Sequence, residues 1–200
     1  HRLNVVDRPF ADLEGVALEL GHVNPSALPA AHQDELFALA ERAAAAVGVG
    51  FGAFKADTIW TADGPRILEV TARLSGGFDC QKTTPLATGR NFIAAALRLA
   101  IGLPLDPADL APTRRRYAAA WTALPEPGRV VEIDAAPSLA VPGVEEVLLR
   151  VSVDDVVPEY RDCATRPAFV VATGDSPAEA VANARAGVAA LRIRTERAAA

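Results

Sequence analysis

Asp57 and Glu69 lie on either side of Ala62-Asp63-Gly64, a turn signature with glycine where a hairpin needs a positive φ. Read as a three-residue loop, the turn sets Thr61 opposite Pro65, and counting outward sets Asp57 opposite Glu69 on one face. Directly opposed residues have Cβ atoms about 4.5–5.5 Å apart, where like charges repel unless something positive lies between them. A divalent cation is one answer: two carboxylates favour Mg²⁺ or Mn²⁺, hard ions that complete their shell with water and substrate phosphates. Lys55, diagonal to Glu69, is the other answer, neutralising the pair as a surface ion pair with no metal. The same register puts Thr71 and Arg73 on the charged face and sends Phe54, Ala56, Trp60, Leu68, Val70 and Ala72 towards a core. Ser75-Gly76-Gly77 follows, either a plain turn or a loop whose amides approach an anion closely. Carboxylates, a hydroxyl and an arginine beside such a loop suit the stabilisation of negative charge on transferring phosphoryl oxygens.

The elements that must hold these residues can be read from pattern. Val16 to Val23 partly alternates and runs into the turn Asn24-Pro25-Ser26, as a strand does. Leu36, Leu39, Ala40, Ala43 and Val47 recur at helical spacing, predicting a helix from about Pro29 to Val47 that Gly48 closes. Gly50 to Trp60 and Pro65 to Arg73 are the two hairpin strands. Pro85 to Thr88 predicts one helical turn ended by Gly89, and Asn91 is the expected N-cap of a helix over Phe92 to Ile101. A linker rich in Pro and Asp, Leu103 to Pro112, marks a boundary, so residues 1–110 and 111–200 are expected to form two domains. Strands are expected around Tyr117 to Trp121, Arg129 to Asp134, Val144 to Val153, Pro167 to Thr173 and Leu191 to Arg194. Ser176-Pro177-Ala178-Glu179 is a capping box opening a helix to about Ala190. The expected class is α+β, a mainly antiparallel sheet with flanking helices followed by a small α/β closing domain.

Composition limits the partners. At 200 residues, half of them apolar and 22% charged, the chain has the make-up of a globular protein of one large or two small domains. A net charge of −5 speaks against nucleic acid or an anionic membrane held by bulk charge. No apolar run approaches the roughly 20 residues of a membrane span, and no secretory signal opens the chain, so a cytoplasmic location is expected. The two cysteines, Cys80 and Cys163, fit neither a disulfide framework nor a metal-ligand spacing. The chain contains no methionine, which leads us to expect a piece of a longer polypeptide.

Gly50-Phe-Gly-Ala-Phe-Lys-Ala-Asp57, the hairpin, Ile67-Leu-Glu-Val-Thr-Ala-Arg73-Leu-Ser-Gly-Gly77 and Ala87-Thr-Gly89 together resemble the C-terminal half of an ATP-grasp domain, over roughly Val16 to Gly102. That family commonly carries an acidic residue on one strand and Glu-x-Asn-x-Arg on the next. The resemblance implies that Asp57 and Glu69 are Mg²⁺ ligands, Glu69 bridging two ions. It implies that Arg73 stabilises acyl-phosphate and tetrahedral intermediates, and that Ser75, Gly76 and Gly77 lie near the γ-phosphate or the acceptor. Thr71 takes the place of the family's asparagine metal ligand, a shorter-reaching oxygen donor there, and Lys55 stands where the family sometimes has histidine, which implies a cofactor-binding role near the metal beside the ion-pair reading. Residues 110–194 resemble, more generally, the closing domain of biotin carboxylases and amino-acid ligases.

The implied activity is an ATP- and Mg²⁺- (or Mn²⁺-) dependent ligation in which a carboxylate, activated as an acyl phosphate, is attacked by an amine or thiol. The implied partners are a small-molecule carboxylate and amine and an N-terminal half carrying the nucleotide lysines and lid; without that half the chain is expected to be inactive. A homodimer is left open. Two other readings stand beside this one: a non-catalytic scaffold or regulatory subunit, which Thr71 motivates, and a carboxylase-type enzyme that phosphorylates bicarbonate.

Overall fold

The computed structural model describes residues 1–12 and 15–197. Strand β1 (Gly21–Asn24) leads into helix α1 (Ala30–Ala46), and the hairpin β2 (Lys55–Thr61) and β3 (Gly64–Thr71) follows. A π-helical turn over Asp79–Thr83 continues into α2 (Thr84–Thr88), α3 (Phe92–Ala100) and the single turn α4 (Pro107–Leu110). Then come β4 (Tyr117–Ala123), β5 (Gly128–Asp134), α5 (Ala136–Leu139), β6 (Val144–Leu149), β7 (Val156–Val157), β8 (Ala168–Gly174), α6 (Pro177–Ala190) and β9 (Arg192–Glu196).

Three antiparallel sheets result, with strand orders β1-β4-β8-β6, β2-β3 and β7-β5-β9. The architecture is α+β and mainly antiparallel with flanking helices, as the pattern of runs and turns implied. The largest sheet draws β1 from before residue 110 and its other three strands from after it, so its hydrogen bonding joins both segments of the chain.

Small side chains set the thickness of the core. Ala118, Ala119 and Ala120 on β4 and Ala172 on β8 are fully buried, and Ala180 and Ala184 of α6 pack onto Ala119 and Ala172 with Val23. The close approach is enforced at Gly187, where a Cβ would come within 2.6 Å of Val170 Cγ1 and 2.8 Å of Val144 Cγ2. The capping box opens α6: Ser176 Oγ accepts from Glu179 N at 3.1 Å, and Glu179 Oε2 accepts from Asp175 N at 2.7 Å. Asn91 likewise caps α3 through Ala94 N.

The hairpin is built differently from the expected loop. Its turn has two residues, Ala62 and Asp63, so Thr61 pairs with Gly64 and Trp60 with Pro65. The register then shifts between Asp57 and Thr58, which pair with Glu69 and Ile67. Leu68 is the extra residue of this bulge, and it is 67% exposed instead of facing the core. Ala72 is exposed too, because β3 ends at Thr71. β2 begins only at Lys55, and α1 lies against the hairpin with His32 stacked on Trp60 at 4.1 Å between ring centroids.

Candidate metal and phosphate site on the hairpin

The cross-strand pairs Lys55↔Thr71 and Asp57↔Glu69 put four polar side chains on one face of the hairpin. Lys55 Nζ donates to Asp57 Oδ1 at 2.6 Å and lies 3.6 Å from Glu69 Oε1. Thr71 Oγ1 donates to the same Glu69 Oε1 at 2.8 Å. Lys55 is mostly buried, its side chain 17% exposed, whereas Glu69 is open to solvent at 58%.

Arg8 contacts this group from outside the hairpin. The N-terminal segment bonds to β1 through Asp7 and Val23, whose amides and carbonyls exchange bonds of 3.1 and 2.9 Å. That places Arg8 with Nη1 2.9 Å from Asp57 Oδ2 and Nη2 2.6 Å from Glu19 Oε2. Burial opposes ionisation of Asp57, but the hydrogen bond from Lys55 and the charge of Arg8 outweigh it and hold the carboxyl below its usual range. Burial likewise works against the Arg8 cation, and Glu19 and Asp57 more than offset it.

Behind Arg8 the polar contacts run into the interior. Glu19 is buried; Arg166, 8% exposed, donates to its carbonyl at 3.1 Å and lies 3.9 Å from its Oε2. The Arg166 guanidinium also sits over Phe169, 4.7 Å from the ring centroid. His22 Nε2 shares a 2.8 Å hydrogen bond with Thr83 Oγ1, and burial keeps the imidazole below its ordinary pKa more strongly than Asp79 and Glu19 raise it. Asp79 Oδ1 accepts from Asn24 Nδ2 and from Thr84 Oγ1, both at 2.9 Å. Arg8, Glu19, His22, Asp79 and Arg166 were not singled out by spacing as members of this assembly.

Arg73 stands apart from the acids: it is exposed, and Nη1 donates to Leu74 O at 2.9 Å. Ser75, Gly76 and Gly77 form the entry to the π-helical turn, where Gly76 O accepts from Asp79 N at 3.2 Å. Gly77 has φ +65° and Phe78 φ +70°. The Phe78 ring is anchored edge-on against Phe169 at 5.3 Å, holding a non-glycine residue in a conformation it seldom adopts. No side chain approaches Gly76 or Gly77 where a Cβ would stand, so the loop face is open to a ligand.

Lys82 pairs with Glu146 at 2.7 Å. Arg114, Arg115 and Arg116 are exposed. Burial pushes the Cys80 thiol up to about 11, leaving it protonated and inert.

Among the described residues no three His, Cys, Asp or Glu side chains converge as a ligand set. Asp57 and Glu69 could therefore hold an ion by two protein carboxylates at most, the remaining positions going to water and phosphate oxygens. That donor set fits a hard divalent cation of the Mg²⁺ kind. No helix is long and apolar enough to cross a membrane among the described residues.

Comparison with known proteins agrees with the fold. Residues 120–196 match the family L-amino acid ligase C-terminal domain 2. Carnosine synthase 1 of Gallus gallus is 33% identical over 168 residues, covering 82% of this chain and 17% of that protein. The crystal structure of an L-amino acid ligase from Bacillus licheniformis superposes with a TM-score of 0.76 at 20% identity, over 90% of this chain and 44% of the other. Phosphoribosylglycinamide synthetase from Anaerococcus prevotii gives a TM-score of 0.80 at 13% identity, over 96% and 49%. The chain thus spans less than a fifth of its curated relative and less than half of these solved structures. Over residues 120–196 by family and over most of its length by fold, the chain is similar to a C-terminal portion of ATP-grasp carboxylate–amine ligases.

Proposed function

We propose that the chain supplies the metal and phosphoryl-transfer face of an ATP-dependent ligase joining a carboxylate to an amine. The observation that carries this reading is the Asp57–Glu69 pair, opposed on one hairpin face and open to solvent through Glu69. A carboxylate oxygen of the substrate attacks the γ-phosphorus of ATP, ADP leaves, and the amine then attacks the acyl carbon and displaces phosphate. A divalent cation held by Asp57 and Glu69 would neutralise charge on the transferring phosphoryl oxygens.

The chain's own residues have distinct tasks in this scheme. Lys55 and Arg8 fix the Asp57 carboxylate from both oxygens. Arg73, tied among the described residues only to the neighbouring carbonyl of Leu74, can turn towards an acyl phosphate or the oxyanion formed on amine attack. The open face of the loop at Gly76 and Gly77 leaves room for a phosphate to approach the backbone. Thr71 orients Glu69 by donating to it, a task different from that of a metal ligand. Residues 111–200 act as the closing domain and keep water from the acyl phosphate. The similarity to an L-amino acid ligase and to carnosine synthase 1 supports an amino acid as the substrate class. Nucleotide lysines and lid belong to a companion N-terminal half.

The scaffold reading is favoured by Thr71 alone, whose hydroxyl is spent on Glu69. Titrating nucleotide into the intact protein with and without Mg²⁺ separates the two. Affinity that rises with Mg²⁺ and loses that rise in Asp57→Asn supports the ligase; metal-independent affinity, or none, supports the scaffold.

A further inference from the structure

We infer that Lys55 is a built-in counter-ion occupying the cation position between Asp57 and Glu69, so that the hairpin takes up a divalent ion only together with a polyphosphate. The inference rests on the ligase reading and adds to it a condition on the order of binding.

The geometry is that of a bridging cation. Lys55 precedes Asp57 by two residues on the same strand face and sits diagonal to Glu69, with Nζ 2.6 Å from one carboxylate and 3.6 Å from the other. Its side chain is largely withdrawn from water, so the ammonium is not screened as a surface lysine is. Among the described residues its ionic partners are these two carboxylates, whereas the other cation on Asp57, Arg8, is shared with Glu19. The surrounding charges already balance: Asp57, Glu69 and Glu19 face Lys55, Arg8 and Arg166. A bare divalent ion entering this group would add two positive charges beside a retained ammonium at contact distance. An incoming polyphosphate removes that obstacle, since its negative charge lets the ammonium and the ion share the two carboxylates.

The test counts bound Mn²⁺ by the electron paramagnetic resonance signal of the free ion, in the intact protein. It is run without nucleotide and with the non-hydrolysable β,γ-imido analogue of ATP, ion bound to protein being counted as the loss of signal beyond that caused by the same analogue in protein-free buffer. Wild type should bind Mn²⁺ with the analogue and not without it. Lys55→Gln should bind Mn²⁺ without nucleotide, about tenfold or more tightly than wild type does, while Lys55→Arg, which keeps the charge, should behave as wild type. Should Lys55→Gln fail to fold by circular dichroism, Lys55→Met tests the same loss of charge with a comparable stem. Wild type binding Mn²⁺ alone as tightly as the neutral variants overturns the inference, and so does a neutral variant that still needs the analogue. Absence of Mn²⁺ binding in every protein even with the analogue overturns the ligase reading itself.

Discussion

Arg8 holds Asp57 at 2.9 Å through one guanidinium nitrogen and, with the other, holds Glu19 at 2.6 Å. The hairpin carboxylate is thereby fixed to a buried acid that belongs to a different part of the fold. Arg8→Ala removes both contacts and leaves the Glu19 carboxylate with the longer approaches of Arg166 at 3.9 Å and His22 at 4.0 Å. Because Arg8 is about one-third exposed, the expected loss of stability is moderate, about 1–3 kcal/mol. A shifted urea midpoint with an unchanged slope would check it.

Two acid-sensitive windows follow from the pKa directions. His22 lies below its ordinary value when folded, so its contribution is complete above about pH 6.5 and is lost as pH falls through the folded value. Asp57 is also lowered, which places its contribution above about pH 4, lost on further acidification. Urea titrations from pH 8 to pH 3 should show wild-type stability falling in both windows. His22→Gln should flatten only the upper slope and Asp57→Asn only the lower one.

Cys80 is buried and its thiol is raised to about 11, while Cys163 is partly exposed. A disulfide reagent at pH 8 should leave Cys80 unmodified in the native protein and modify it on adding denaturant. Comparing Cys163→Ser with wild type identifies the residue that reacts.

The glycine in α6 reports on sheet packing. Gly187→Ala gains about 1 kcal/mol of helix propensity, yet its methyl would overlap Val170 and Val144. Overpacking costs about 1–3 kcal/mol, so net destabilisation is expected, read as a lower urea midpoint.

Legibility in the sequence divides along contact distance. The hairpin acids could be paired because alternation and a turn signature act over a dozen residues. The Asp57–Glu69 register came out as counted only because a shorter turn and a bulge at Leu68 offset each other, and a bulge has no local signature. The caps at Asn91 and Ser176 were equally local. Glu19 and Arg166 meet across 147 residues, and Arg8 reaches Asp57 from ahead of β1, separations that no periodicity encodes. The available sign was two polar residues, Glu19 and His22, inside the otherwise apolar run Val16 to Val23, since buried polar groups need partners. The π-helical turn, α5 and the two-residue β7 were missed because each is shorter than the window a pattern needs.

The most direct measurement is amino-acid-dependent release of ADP from ATP by the intact protein and its Glu69→Ala variant, across a panel of amino acids as carboxylate and amine. Loss of at least a hundredfold in turnover, with the far-ultraviolet circular dichroism unchanged, is the expected result. Turnover close to wild type in Glu69→Ala would contradict the proposal that the hairpin carboxylates serve phosphoryl transfer.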